Sequence, residues 1–167
     1  MRSVLRPVTQ ADSADMLAWR NMERVRNFVF EQGEIKPEDH ALWFEKMLNS
    51  CDQAYYVYCE KEAARGVIGF SGLQTGVGHW GFYTTPGAPA GTGAKMLRVA
   101  LDFAFETLSL HRVEAEVLDY NTASLKLHDR LGFERIGMRH NHRLRDGSFH
   151  VVILFAKEAP KARQEKK

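Results

Sequence analysis

The chain has 167 residues, of which 44% are hydrophobic and 26% are charged, and these proportions are ordinary for one soluble globular domain. They exclude a disordered chain, and the longest unbroken apolar run, residues 151–156, is far short of the ~20 residues that a membrane-spanning helix needs. The net charge of +2 comes from residues 157–167, because the rest of the chain is nearly neutral, which argues against nucleic acid as a partner.

The first third of the chain carries helix signals. A helix is predicted to open at Thr9 to Asp12, and Pro37, followed by two acidic residues, starts a second one that ends near Asn49. The pattern then changes to that of strands at 54–60, 66–73 and 78–85, and their short connections favour antiparallel pairing.

The second half alternates between strands and helices. A largely buried helix is predicted for 91–108, a strand for 112–118 and a helix for 121–131. Two final strands, at 136–144 and 148–156, flank the turn signal Asp146-Gly147. This order predicts an α/β fold in a single domain, 1–156, with a mixed central sheet of about seven strands flanked by about four helices. We expect 157–167 to be a basic, flexible tail.

A glycine-rich turn joins the third of the central strands to the long helix. The helix begins at Gly91-Thr92-Gly93, where backbone amides and the positive end of the helix dipole can receive a phosphate. Neither the dinucleotide fingerprint nor the nucleotide-triphosphate loop is present, because the required glycines are missing. Taken alone, the turn fits either a pyrophosphate site or a helix start without a ligand.

The next helix carries a more specific pattern. Residues 121–133 read N-T-A-S-L-K-L-H-D-R-L-G-F and follow a strand that itself follows the glycine turn. This arrangement resembles the GNAT superfamily of N-acetyltransferases, and the resemblance runs from Val4 to about Ala156. The resemblance implies that acetyl-coenzyme A is the co-substrate and lies in a splay between two neighbouring parallel strands.

The resemblance also implies which residues bind the co-substrate. The thioester arm is expected on the backbone of the strand end, and the pyrophosphate on the amides at the helix start. The implied residues are Phe82, Tyr83, Thr84, Gly91, Thr92, Gly93, Ala94, Lys95, Asn121 and Ser124.

Two positions depart from the family pattern. Ala88 stands where a Gln or Arg is usual, and His128 stands where the family has the tyrosine that protonates the leaving thiolate. An imidazole can supply that proton, so His128 is the predicted acid, with a packing histidine as the alternative. Glu116, on the strand beside the expected splay, is the predicted base for the acceptor amine, with a solvent-facing glutamate as the alternative.

The resemblance narrows to one branch, the acetyltransferases of pseudaminic acid biosynthesis. It rests on residues 19–21, 78–83 and 110–118, and it implies transfer to the 4-amino group of a UDP-linked 4-amino-4,6-dideoxy sugar. The residues expected to contact this nucleotide sugar are Trp19, Arg20, Asn21, Ser71 and Trp80.

Two other functions stay open on the sequence. One is acetylation of polyamines or protein N-termini, and the other is a non-catalytic module that binds acyl-coenzyme A. We expect no metal, because His140 and His142 have no carboxylate or cysteine cluster near them in the sequence. Two cysteines make no disulfide framework, so the expected location is cytoplasmic, and a homodimer is compatible with the sequence.

Overall fold

A computed structural model describes residues 3–161 as one seven-stranded mixed sheet covered by helices. The strands are β1 Ser3–Pro7, β2 Ala54–Glu60, β3 Ala63–Ser71, β4 Val77–Thr84, β5 Arg112–Leu118, β6 Glu134–Arg143 and β7 Phe149–Glu158. The α-helices are α1 Ser13–Arg20, α2 Glu23–Arg26, α3 Pro37–Leu48, α4 Thr92–Glu106 and α5 Thr122–Arg130, with short 3-10 helices at Gln10–Asp12 and Leu73–Thr75. The predicted α/β class is confirmed, with one helix more than expected.

The sheet consists of two antiparallel halves joined by a parallel seam. Its strand order is β1-β2-β3-β4-β5-β7-β6, and every neighbouring pair is antiparallel except β4 and β5. The parallel pairing covers only Val77–His79 of β4 and Arg112–Glu114 of β5. The seam therefore joins the halves at one end and leaves the other ends of β4 and β5 free to separate.

The starts of the helices follow the local chemistry of the sequence. Thr9 and Asp12 form a capping box, and the Asp12 carboxylate also accepts two hydrogen bonds of 2.8 Å from Arg6. Pro37 occupies the first turn of α3, and the side chain of Asn121 caps α5 by accepting from the Ser124 amide. Each of these signals was visible in the sequence.

The core has one large cluster on each face of the sheet. On one face, α4 packs its buried Met96, Leu97 and Ala100 against the middle strands. On the other face, α1 and α3 cover the sheet through Met16 and Phe44. One face of β4 is therefore buried at Gly78 and Trp80, while His79 and Gly81 on its other face are exposed.

Three expectations concern the C-terminal tail, a membrane-spanning helix and a metal site. The expected tail 157–167 overlaps β7 by two residues, since Lys157 pairs with Val113 and Glu158 with Arg112, and 162–167 lie outside the described residues. Between residues 3 and 161 no helix is long and apolar enough to cross a membrane. Over the same range no group of three or more His, Cys, Asp and Glu side chains is arranged to hold a metal ion.

Candidate active site at the splay of two strands

The separation of β4 and β5 opens a cavity in the middle of the sheet. Their last paired residues are His79 and Glu114, and beyond them the two strands diverge around a cavity of about 390 Å³. We call this the splay cavity. Its lining residues are Phe28, Val29, Phe30, His79, Trp80, Gly81, Phe82, Glu114, Ala115, Glu116, Val117, Asn121, Ser124 and His128. The structure thus brings together six residues named from the sequence, which are Trp80, Phe82, Glu116, Asn121, Ser124 and His128.

His128 lies at the inner wall of this cavity and is 1% exposed. Its Nε2 accepts a hydrogen bond of 3.1 Å from the Trp80 indole, and its Nδ1 donates one of 2.8 Å to the Ser124 carbonyl. The ring stacks on Phe155 at 5.0 Å between centroids and meets Phe133 edge-on. These two bonds define a neutral imidazole whose proton is on Nδ1.

This geometry favours the packing role for His128 over the acid role. Burial lowers the pKa of His128, although the hydrogen bond to Ser124 opposes this, so the protonated ring is disfavoured. To protonate a thiolate, Nε2 would have to carry a proton and give up the bond from Trp80. The sequence could not show this, because the indole that occupies Nε2 comes from a strand 48 residues earlier.

Glu116 points to the same cavity but is already bound. Its two carboxylate oxygens lie 3.0 and 3.3 Å from the guanidinium nitrogens of Arg139 on β6. About 40% of the Glu116 side chain is exposed, so the ion pair is accessible to solvent. Accepting a proton from an amine would cost Glu116 this ion pair.

The start of α4 has the open backbone that an anion site requires. Gly91 has a φ of 85°, and a Cβ built there meets no heavy atom within 4 Å. At Gly93 the nearest atom to such a Cβ is a Leu127 methyl at 3.8 Å. The Thr92 hydroxyl is used in the turn, donating to the Pro89 carbonyl, while the first-turn amides of Gly93 and Ala94 have no carbonyl four residues earlier within the helix. The site therefore fits a pyrophosphate.

A second cavity adjoins the first along β4. It has a volume of about 480 Å³, and we call it the aromatic cavity. It is lined by Met16, Arg20, Val29, Glu31, Ile35, Asp39, His40, Trp43, Tyr55, Val67, Gly81, Phe82 and Tyr83. Both cavities share Val29, Gly81 and Phe82, so a ligand in one can meet a ligand in the other at this part of β4.

Only some of the residues expected at the acceptor lie in these cavities. Arg20 lines the aromatic cavity and Trp80 the splay cavity. Trp19, in α1, packs against the core cluster of Met16 and Phe44, and Asn21 holds the following loop by exchanging two hydrogen bonds with the Ile35 backbone. Ser71 is exposed at the end of β3 and lines neither cavity. Trp19 and Asn21 thus lie in supporting positions, and the contact of Ser71 with the acceptor stays a prediction.

Several lining residues were not found by sequence reasoning. Trp43 and Tyr55 form one wall of the aromatic cavity, with ring centroids 5.1 Å apart and planes at 88°. They come from α3 and β2, and each is typical of a core position in its own segment. Nothing in the local pattern of either element indicates that the two rings face the same cavity.

Comparison with known proteins decides the family. The sequence profile described as the acetyltransferase (GNAT) domain matches residues 2–134. The chain belongs to the GNAT acetyltransferase family. This GNAT acetyltransferase is similar to Acetyltransferase PseH of Campylobacter jejuni, with 27% identity over 115 residues that cover 69% of this chain and 72% of the relative. It is also similar to the N-acetyltransferase p20 of Bacillus licheniformis, with 24% identity over 140 residues that cover 81% and 72% of the two chains.

Solved structures share the fold of this GNAT acetyltransferase. The spermidine N-acetyltransferase from Vibrio cholerae in complex with CoA and spermine superposes with a TM-score of 0.85 at 16% identity, over 93% of this chain and 95% of that one. An N-acetyltransferase from Staphylococcus aureus gives a TM-score of 0.76 at 17% identity, over 95% and 99% of the two chains. Membership of the GNAT acetyltransferase family makes the chain an acetyl-CoA-dependent N-acetyltransferase.

One contact bears on where the thioester arm binds. The resemblance assigns this arm to the backbone of Phe82, Tyr83 and Thr84. In the structure the Thr84 carbonyl accepts a hydrogen bond of 2.6 Å from Arg24 on α2. A ligand amide that bonds to this carbonyl must displace or share the Arg24 guanidinium.

Proposed function

We propose that this acetyltransferase transfers the acetyl group of acetyl-CoA to the 4-amino group of a UDP-linked 4-amino-4,6-dideoxy sugar, as in pseudaminic acid biosynthesis. The resemblance of residues 19–21, 78–83 and 110–118 to that branch supports the proposal, as does the similarity to PseH. In this arrangement acetyl-CoA occupies the splay, and the first turn of α4 holds its pyrophosphate. The nucleotide sugar occupies the aromatic cavity.

The burial and the hydrogen bonding of Arg20 are the observation that supports a nucleotide sugar as the acceptor. Its Nη2 donates to the Glu31 carbonyl, while Nη1 is buried and is one of three side-chain atoms in residues 3–161 that are buried without a partner. Burial lowers the pKa of Arg20, but a guanidinium stays charged at neutral pH. A fixed, unpaired donor of this kind matches a diphosphate oxygen and repels a polycation.

The aromatic wall suits the base of a nucleotide. Trp43 and Tyr55 meet edge to face, so part of each ring is turned toward the cavity that Arg20 also lines. A uracil ring can stack on such a surface while its diphosphate meets the guanidinium. The shared residues Gly81 and Phe82 then lie between the sugar and the thioester, and Gly81 has no side chain to obstruct the amine.

A second acceptor class is favoured by the acidic residues of the same cavity. The carboxylates of Glu31 and Asp39 line it, and a polyamine would pair with them. Arg20 would then be a like charge inside the site. The two classes therefore predict opposite effects when Arg20 is neutralised.

Thiol release from acetyl-CoA tests the proposal with the UDP-linked 4-amino sugar and with spermidine as acceptors. We expect turnover with the sugar, and a rise of about 10- to 100-fold in its KM for Arg20→Met, from the loss of a charge-assisted hydrogen bond. The KM of acetyl-CoA should not change. Arg65→Met is the matched control, since Arg65 also has a buried, unpaired nitrogen but lines neither cavity. Turnover of spermidine alone, with a lower KM in Arg20→Met, would contradict the nucleotide-sugar proposal.

A further inference from the structure

A histidine–carboxylate pair lies at the closed end of the splay cavity. His79 Nε2 is 2.9 Å from Glu114 Oε2, and these residues are also the last paired positions of the parallel seam. Both line the splay cavity. The pair thus occupies the point where β4 and β5 begin to separate, on the same side of the sheet.

The surroundings of Glu114 fix its charge. Burial raises the pKa of Glu114, but the hydrogen bond from Arg112 and the interactions with His79 outweigh it, so the net direction is down. Arg112 Nε donates to the other carboxylate oxygen at 2.8 Å, and Arg112 also binds Glu158 of β7. An ionised Glu114 accepts a hydrogen bond, so the neutral imidazole of His79 carries its proton on Nε2 and its lone pair on Nδ1.

We propose that His79 is the proton acceptor for the amine in acetyl transfer and that Glu114 is the residue that positions it. One N–H bond of the acceptor ammonium breaks and its proton forms a bond to Nδ1, giving an imidazolium beside the Glu114 carboxylate. The neutral amine then attacks the thioester carbonyl, its nitrogen forms the amide bond, and the carbon–sulfur bond breaks. A second proton from the nitrogen goes to the thiolate, and the half-exposed His79 returns the first to solvent.

The other titratable groups of the splay cavity are less suited to this step. Glu116 has both oxygens bound to Arg139, and His128 uses both ring nitrogens inside the protein. His79 differs because no group within residues 3–161 hydrogen-bonds to its Nδ1. The assignment rests on acetyl transfer itself and holds for whichever amine is the acceptor.

The test compares rate–pH profiles of five variants in the full chain. They are His79→Gln, Glu114→Gln, Glu114→Asp, Glu116→Gln and the control His150→Gln. His150 is the control because it forms an equivalent 2.9 Å pair with Asp119 but lines neither cavity. Turnover is followed by thiol release between pH 6 and 10. The acceptor is the UDP-linked amino sugar, or spermidine if the wild type acetylates spermidine and not the sugar. Failure with the sugar thus rejects the acceptor without affecting this comparison.

We expect His79→Gln to lower kcat at pH 7 by about 10²-fold, and the deficit to shrink toward high pH, where the amine loses its proton unaided. Glu114→Gln should lower kcat by about tenfold, since the imidazolium loses its partner, and Glu114→Asp should restore part of it. His150→Gln should stay within about twofold of wild type, and all variants should keep their KM for acetyl-CoA. A normal rate in His79→Gln at pH 7, a deficit that does not depend on pH, or a larger and pH-dependent deficit in Glu116→Gln would overturn the assignment.

Discussion

Replacing His128 with alanine removes a buried imidazole from among aromatic rings and leaves the Trp80 indole N–H without its acceptor. A buried donor without a partner costs about 1–3 kcal/mol. Truncating a large core side chain costs about 2–5 kcal/mol. Because the two costs overlap, we expect His128→Ala to lower the free energy of unfolding by about 4 kcal/mol. For a chain of this size that corresponds to a fall in Tm of about 8–16 °C.

Urea denaturation and turnover on the same preparations check this expectation. Turnover per folded molecule should stay within about tenfold of wild type, because the His128 ring nitrogens already have partners within the protein. His128→Gln should lose about half as much stability, since an amide oxygen can still accept from Trp80. A stability loss below about 1 kcal/mol combined with a 10²-fold loss of turnover would refute the packing role and restore His128 as the acid.

Two further predictions concern the co-substrate site and the pH dependence of stability. Gly93→Val should keep the fold, because the atom nearest to the new Cβ is 3.8 Å away. Calorimetry should show that this variant binds acetyl-CoA much more weakly than the wild type does and that Gly93→Ala has an intermediate affinity. An unchanged affinity would reject the amide site. Burial lowers the pKa of both His40 and His128, so the unfolded chain binds protons more tightly than the folded chain below pH ~6.5. Urea denaturation should therefore show stability falling from pH 6.5 to 5, by at most ~1.4 kcal/mol per pH unit for each histidine, and a flat profile would contradict the buried neutral rings.

The fold could be predicted because the signals for it are local. The strand at 112–118 and the strand at 54–60 have the expected bounds, and Asn121 caps its helix as its side chain suggests. The start of β3 was placed three residues late, at 66. The turn before it uses Lys61 and Glu62 with φ of 49° and 65°, and neither residue is typical of a left-handed turn.

The four-residue α2 was missed for a similar reason. A single helical turn leaves no periodic pattern to read in the sequence.

The site was only partly predictable because its chemistry depends on contacts between distant segments. The family motif named the residues of the splay, and the structure places Glu116, Asn121 and His128 there. The motif could not show that Arg139 binds Glu116 or that Trp80 binds His128. Those bonds join residues 23 and 48 positions apart, and they decide which groups are left to move a proton.

The short parallel seam also bears on the order of folding. The strands β1 to β4 form one antiparallel unit, with α1 to α3 inserted between β1 and β2, and β5, β7 and β6 form a second antiparallel unit. Within residues 3–161, only three strand-paired positions of β4 and β5 join the two units, and α4 packs against strands of both. Closing the seam gains three residue pairs, whereas pairing β1 with β2 gains five and pairing β5 with β7 gains seven. The loops that these pairings close are of comparable length, so their entropic costs are similar. We therefore expect the seam to close after the antiparallel units have formed. The splay cavity, where we propose that acetyl transfer takes place, would then form last.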